Sequence, residues 1–111
     1  SWAKFTSADF SGAIFTSADF SGAIFTKSAS FFGTAFQIEP IFVDIRWGRT
    51  YKARFSSKAD PEDYDFEVSP DSPCIIETEE KEYNGTKFII PKGTELFDPD
   101  EPSNLEDDDE S

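Results

Sequence analysis

Residues 3–25 read AKFTSADFSGAIFTSADFSGAIF, and the ten-residue string FTSADFSGAI occurs twice in succession, at 5–14 and 15–24. A shorter beat runs inside each copy. Phenylalanine falls at Phe5, Phe10, Phe15, Phe20 and Phe25, with alanine two places earlier at Ala3, Ala8, Ala13, Ala18 and Ala23. A step of five makes no stripe on a helix, where each residue turns by about 100°. In a flat strand it throws alternate phenylalanines to opposite faces. A chain that turns a corner every five residues removes both conflicts. Each short side then sends one large and one small apolar group inward and leaves Thr, Ser, Asp and Gly for the corners. Such a period is the mark of a solenoid.

The beat slips once. An extra residue near Thr26–Ser28 moves the next centres to Phe31 and Phe36, with Ala29 and Thr34 as their small partners, so that seven units are readable. This Ala-(Asp)-Phe-x-x pattern resembles the pentapeptide-repeat family. The resemblance implies a right-handed, four-sided β-helix with four units to a coil, so that Phe25 lies over Phe5. It also implies that residues before each central phenylalanine face outward: Lys4, Asp9, Ile14, Asp19 and Ile24. Ile14 and Ile24 are then exposed apolar groups on opposite sides of the coil, and both are candidate partner-binding residues. A buried phenylalanine contributes about 1.5–3 kcal/mol, and seven of them do not comfortably hold an isolated rod against chain entropy. The segment that follows, or another chain, has to complete the stack.

From residue 39 the pattern changes to period two. Ile41, Val43, Ile45 and Trp47 alternate with Phe42, Asp44 and Arg46, and Tyr51, Ala53 and Phe55 alternate with Thr50, Lys52 and Arg54, which predicts two strands joined near Trp47–Thr50. The expected use of the apolar face is to cover the open end of the solenoid. The other face carries Arg46, Arg49, Lys52 and Arg54. With Trp47 these four are further candidate contacts for a partner, since Trp and Arg are favoured anchors. Residues 56–73 form a turn-rich loop with a short strand around Phe66–Val68. Asn84-Gly85 predicts a hairpin that sets Glu82 opposite Lys87. Ile90-Pro91-Lys92-Gly93 fits a type I turn with proline second and glycine fourth. The whole reads as an all-β chain: a repeat solenoid over 1–38, a hairpin-rich antiparallel capping segment over 39–97 and an acidic tail over 98–111.

Net charge is −13 and unevenly spread: neutral over 1–38, +3 over 39–59 and −16 over 60–111. The acidic half repels phosphate, so nucleic acid is not an expected partner, and the charge suits solubility or docking to a basic surface. There is no histidine, which excludes Ser-His and Cys-His nucleophiles. The one cysteine, Cys74, excludes an internal disulfide, and its apolar neighbours favour a packed rather than reactive thiol. Asp98, Asp100, Glu101 and the run 107–110 lack the glycine and spaced glutamate of a calcium loop. No cofactor, metal site or catalytic residue is expected. No apolar run is long enough for a membrane span, and no targeting segment is visible, while the initial Ser suits a processed chain or a piece of a longer one. These features point to a non-catalytic structural or adaptor protein that docks with other subunits. The alternative, implied by the resemblance, is a DNA-mimic inhibitor of a type II topoisomerase.

Overall fold

The computed structural model describes residues 3–100. Its strands are β1 (Lys4–Asp9), β2 (Ile14–Phe15), β3 (Ile24–Ser30), β4 (Ala35–Phe36), β5 (Val43–Arg46), β6 (Arg49–Lys52), β7 (Arg54–Ser56), β8 (Tyr64–Asp65), β9 (Thr78–Tyr83), β10 (Thr86–Pro91) and β11 (Glu95–Phe97). Among the described residues there is no α-helix, and one 3-10 turn spans Pro61–Asp63.

The chain returns to lie parallel to itself. β1 pairs with β3 so that Phe5 meets Phe25. β3 then pairs with β7, Phe25 meeting Phe55, and β7 with β11, Phe55 meeting Leu96. β2 pairs with β4, Phe15 meeting Phe36. The extra residue at Thr26–Ser28 is visible in the ladder. Phe5 faces Phe25 but Ser7 faces Ser28, a bulge that absorbs the insertion and restores the register at Ala8 and Ala29.

Parallel register stacks like on like. Phe5 lies 5.0 Å from Phe25, and Phe25 lies 4.8 Å from Phe55 with the rings 6° from parallel. Phe10, Phe31 and Phe66 make a second column at 5.2 and 5.6 Å. Phe15 over Phe36 and Phe20 over Phe42 make two more, at 5.2 and 5.3 Å. Between columns the rings meet edge to face, as Phe20 and Phe31 do. Both arrangements suit the aromatic quadrupole and add roughly 0.5–1.5 kcal/mol per pair beyond area burial. The small residues Ala23, Ala29 and Ala53 are buried beside the rings. Thr34 occupies an alanine position and is also fully buried. Its hydroxyl donates to the Phe31 carbonyl at 2.7 Å, so no polar group is left orphaned.

The corners explain why the sequence repeats in tens. At Phe-Ser-Gly-Ala the alanine N–H closes on the phenylalanine carbonyl, Ala13 to Phe10 at 2.9 Å and Ala23 to Phe20 at 3.0 Å. Gly12 and Gly22 supply the positive φ that the third place of this turn needs. Asp9 and Asp19 brace it, each accepting from the N–H and hydroxyl of the serine two residues on. The Phe-Thr-Ser-Ala corners carry no glycine, and β1 runs straight through one of them.

Several expectations for the second half change. Two antiparallel hairpins form as predicted, β5–β6 and β9–β10, with Glu82 opposite Lys87. However, β7, β8 and β11 join the parallel ladders instead. Stacking therefore runs past residue 38, through Phe42, Phe55 and Phe66. The apolar face of residues 41–47 does not cover the end of the stack. Ile45 and Trp47 point to solvent, and the buried residue is Phe42, on the other face by period two. The reason is that, among the described residues, β5 pairs with β6 alone and not with the parallel ladders. The turn after β10 is Pro91-Lys92-Gly93-Thr94, one residue later than predicted. Thr94 N–H reaches the Pro91 carbonyl at 3.1 Å, and Gly93, with φ +84, is its third residue.

Candidate functional site

The candidate residues fall into two places. Ile14 and Ile24 belong to the stack. Ile14, beside Ala35 on the β2–β4 ladder, is 75% exposed. Ile24 is half-covered, because Lys4 and Arg54 flank it on neighbouring strands. Only Ile14 remains an open apolar side chain.

Arg46, Trp47, Arg49 and Lys52 gather on the β5–β6 hairpin, while Arg54 lies on β7. The hairpin closes through a two-residue turn, Trp47-Gly48, both with positive φ (54° and 74°). This geometry matches strand twist but favours Asn-Gly. A bulky residue there is an outlier, and Trp47 is 87% exposed as well. Ile45 nearby is 68% exposed.

The basic residues are not equally available. The Arg46 guanidinium sits over the Tyr51 ring at 5.1 Å. It donates from Nη2 to the Ser21 hydroxyl at 3.1 Å, fastening the hairpin to the stack. Its Nε lies 3.1 Å from Asp44 Oδ2, close enough to pair charges but without hydrogen-bond alignment, so that Nε is buried with no hydrogen-bond acceptor. Lys52 Nζ reaches Glu95 at 3.2 Å and Arg54 Nε lies 3.8 Å from the same carboxylate. Two of the four cations thus share an acid of β11. Arg49 is exposed beside Trp47. On the hairpin the accessible candidates are Trp47 and Arg49 at the tip, with the exposed Ile45 beside them.

Among the described residues no group of three or more His, Cys, Asp or Glu gathers as a metal site. No described helix is long and apolar enough to cross a membrane. Cys74 is half-buried and donates a weak bond to the Gln37 carbonyl. Glu101 and the acids at 107–110 lie outside the described residues.

Three stacking units went unread in the sequence: Phe42, Ala53-Arg54-Phe55 and Tyr64-Asp65-Phe66. The signals were present. Ala53 stands two places before Phe55, as Ala3 does before Phe5. Asp65 precedes Phe66 and accepts from the Glu67 N–H at 2.9 Å, the same brace that Asp9 gives Ser11. Tyr64 takes the small-residue place with its ring buried against Phe55 and Phe88, and its hydroxyl donates to the Ser56 carbonyl at 2.9 Å. Burial pushes that phenol well above its ordinary pKa.

No curated protein and no solved structure matches the chain. Residues 1–28 match the family model described as pentapeptide repeats (8 copies). The matched stretch contains Phe5 to Phe25, whose rings begin the columns, and this N-terminal segment is similar to pentapeptide-repeat sequences.

Proposed function

We propose that the protein is a non-catalytic structural or adaptor module that docks to other protein subunits through the tip of the β5–β6 hairpin. In this reading the parallel ladders are one right-handed, four-sided β-helix that continues beyond residue 38 to β11. The two hairpins are then insertions at its sides and end. The observation that carries the docking role is Trp47. A large aromatic is held at a left-handed backbone position and kept 87% exposed. Strain of this kind clusters at functional sites, and Trp is enriched among the anchors of protein interfaces. The outward row Lys4, Asp9, Ile14, Asp19, Ile24 mixes signs and apolar groups, which suits protein contact better than DNA mimicry.

The test is chemical cross-linking and size-exclusion of the full chain in extract of the cells that make it. The chain is expected to elute in a larger complex. Trp47→Ala should lower recovery of that complex about tenfold, the effect of losing one hot-spot anchor. Elution as a free monomer, or unchanged recovery for the variant, overturns the reading.

A further inference from the structure

Away from the hairpin tip, a groove of about 470 Å³ runs between residues 62–67 and the β9–β10 hairpin. Tyr64, Phe66 and Ile76 line it as buried apolar groups, and Ile89, half exposed, lines it from β10. Every charged residue lining it is acidic: Glu62, Asp65 and Glu67. One edge of β8 is taken by β3, where Asp65 and Glu67 carbonyls accept from Phe31 and Gly33. In a parallel pair successive residues aim their backbone groups to opposite sides. Phe66 therefore aims its N–H and carbonyl away from β3, and among the described residues neither makes a backbone hydrogen bond.

We propose that this groove binds an extended peptide segment of a partner protein, one that alternates basic and apolar residues and adds as a strand beside residues 64–67. Main-chain bonds to Phe66 would supply the register, as in other strand additions. Alternate side chains would meet Ile76 and Ile89 on one side and the three carboxylates on the other. Charge selects the occupant. The chain's own acidic tail is repelled, and a second copy at −13 is opposed by like charge. The inference rests on the protein being a docking scaffold but uses a surface separate from Trp47.

The probe is a synthetic peptide of alternating lysine and valine, about nine residues long to match a strand, with its glutamate–valine counterpart as control. Binding to the full chain is read by fluorescence anisotropy at two salt concentrations and by amide-resolved NMR. The lysine peptide is expected to bind, to weaken with salt, and to protect the Phe66 amide from exchange, while the glutamate peptide does not bind. Ile89→Lys should weaken binding about tenfold or more, and the double change Glu62→Gln with Glu67→Gln about three- to tenfold. Trp47→Ala should leave it unchanged, so loss of the tip contact and loss of the groove are told apart. Absence of binding, equal affinity for Ile89→Lys, or perturbations centred on residues 101–111 overturns the proposal. Self-association of the chain that displaces the peptide would make a second copy the occupant and overturn it as well.

Discussion

Phe25 and Trp47 are aromatic residues in strand-rich surroundings, and they meet opposite fates. Phe25 is fully buried between Phe5 and Phe55, and Trp47 is 87% exposed at a hairpin tip. The difference lies in how their strands pair. In the parallel ladders each side of the chain returns over the last, so an inward ring always finds another ring one strand spacing away. The β5–β6 hairpin pairs only with itself, and two strands bury little on either face. Alternation of apolar residues thus produces burial only where a second layer exists to receive it.

The largest break in that comparison comes from truncating both rings. Phe25→Ala removes the centre of a three-ring column and is expected to cost about 3–5 kcal/mol, the range for buried phenylalanine. Trp47→Ala should stay within about 0.5 kcal/mol, as surface changes do. Urea denaturation of the two variants measures both, and equal losses would mean that the hairpin is packed as the stack is.

Tyr64 tests how the stack tolerates a ring where the repeat has alanine. Tyr64→Phe leaves the Ser56 carbonyl with only the longer bond from the Ala59 N–H, at 3.5 Å, and is expected to cost about 0.5–1.5 kcal/mol. The phenol also sets an alkaline limb. Its folded pKa is raised by burial, so its contribution is complete below the unfolded value of about 10 and is lost as pH rises beyond it. Melting temperature followed from pH 8 upward should fall less steeply for Tyr64→Phe than for the parent.

Trp47 also allows a change in the opposite direction. Trp47→Asn places a residue that accepts left-handed backbone and should stabilise the chain by about 1 kcal/mol. The same change should abolish docking through the tip. A variant that is more stable and no longer binds would separate the two regions cleanly: one shaped for stability, the other held against it. Loss of stability on Trp47→Asn would show that the indole packs.

What the sequence made legible follows the same division. The units at 5–25 could be read because identical residues recur at a fixed step, and the slip at Thr26–Ser28 could be read because Ala29 and Phe31 re-establish it. The units at Phe42, Phe55 and Phe66 were hidden because hairpin and loop insertions of unequal length separate them, so the step is lost although the triplets Ala53-Arg54-Phe55 and Tyr64-Asp65-Phe66 keep the form. Period two at 41–47 misdirected the reading of the core. It marks a strand correctly but does not say which face is received, and Phe42 enters the stack because the turn before β5 belongs to the ladder, through Ile41 and Asp19. The hairpin tip was legible as Trp beside Arg. That Arg46 is committed to Ser21 and Lys52 to Glu95 depends on contacts across the fold, which no local pattern encodes.

The smallest expected effect concerns the corner brace that the stack repeats and the hairpins lack. Asp9 accepts two hydrogen bonds from Ser11, hydroxyl and backbone, and these hold its carboxyl below the usual range. A carboxyl depressed in the folded state stabilises above its unfolded pKa of about 3.9, and that contribution is lost as pH falls through the lower folded value. Asp9→Asn keeps an acceptor but not the charge, so it should flatten the acid limb of the melting temperature below pH 4 while leaving the neutral value almost unchanged. Asp9→Ala should lower the neutral value too, because Ser11 then loses its acceptor. Because Asp9 is exposed, both shifts will be modest, and their order is the result that matters. If Asp9→Asn and Asp9→Ala behave alike at every pH, the brace acts through the shape of the turn and not through the carboxylate.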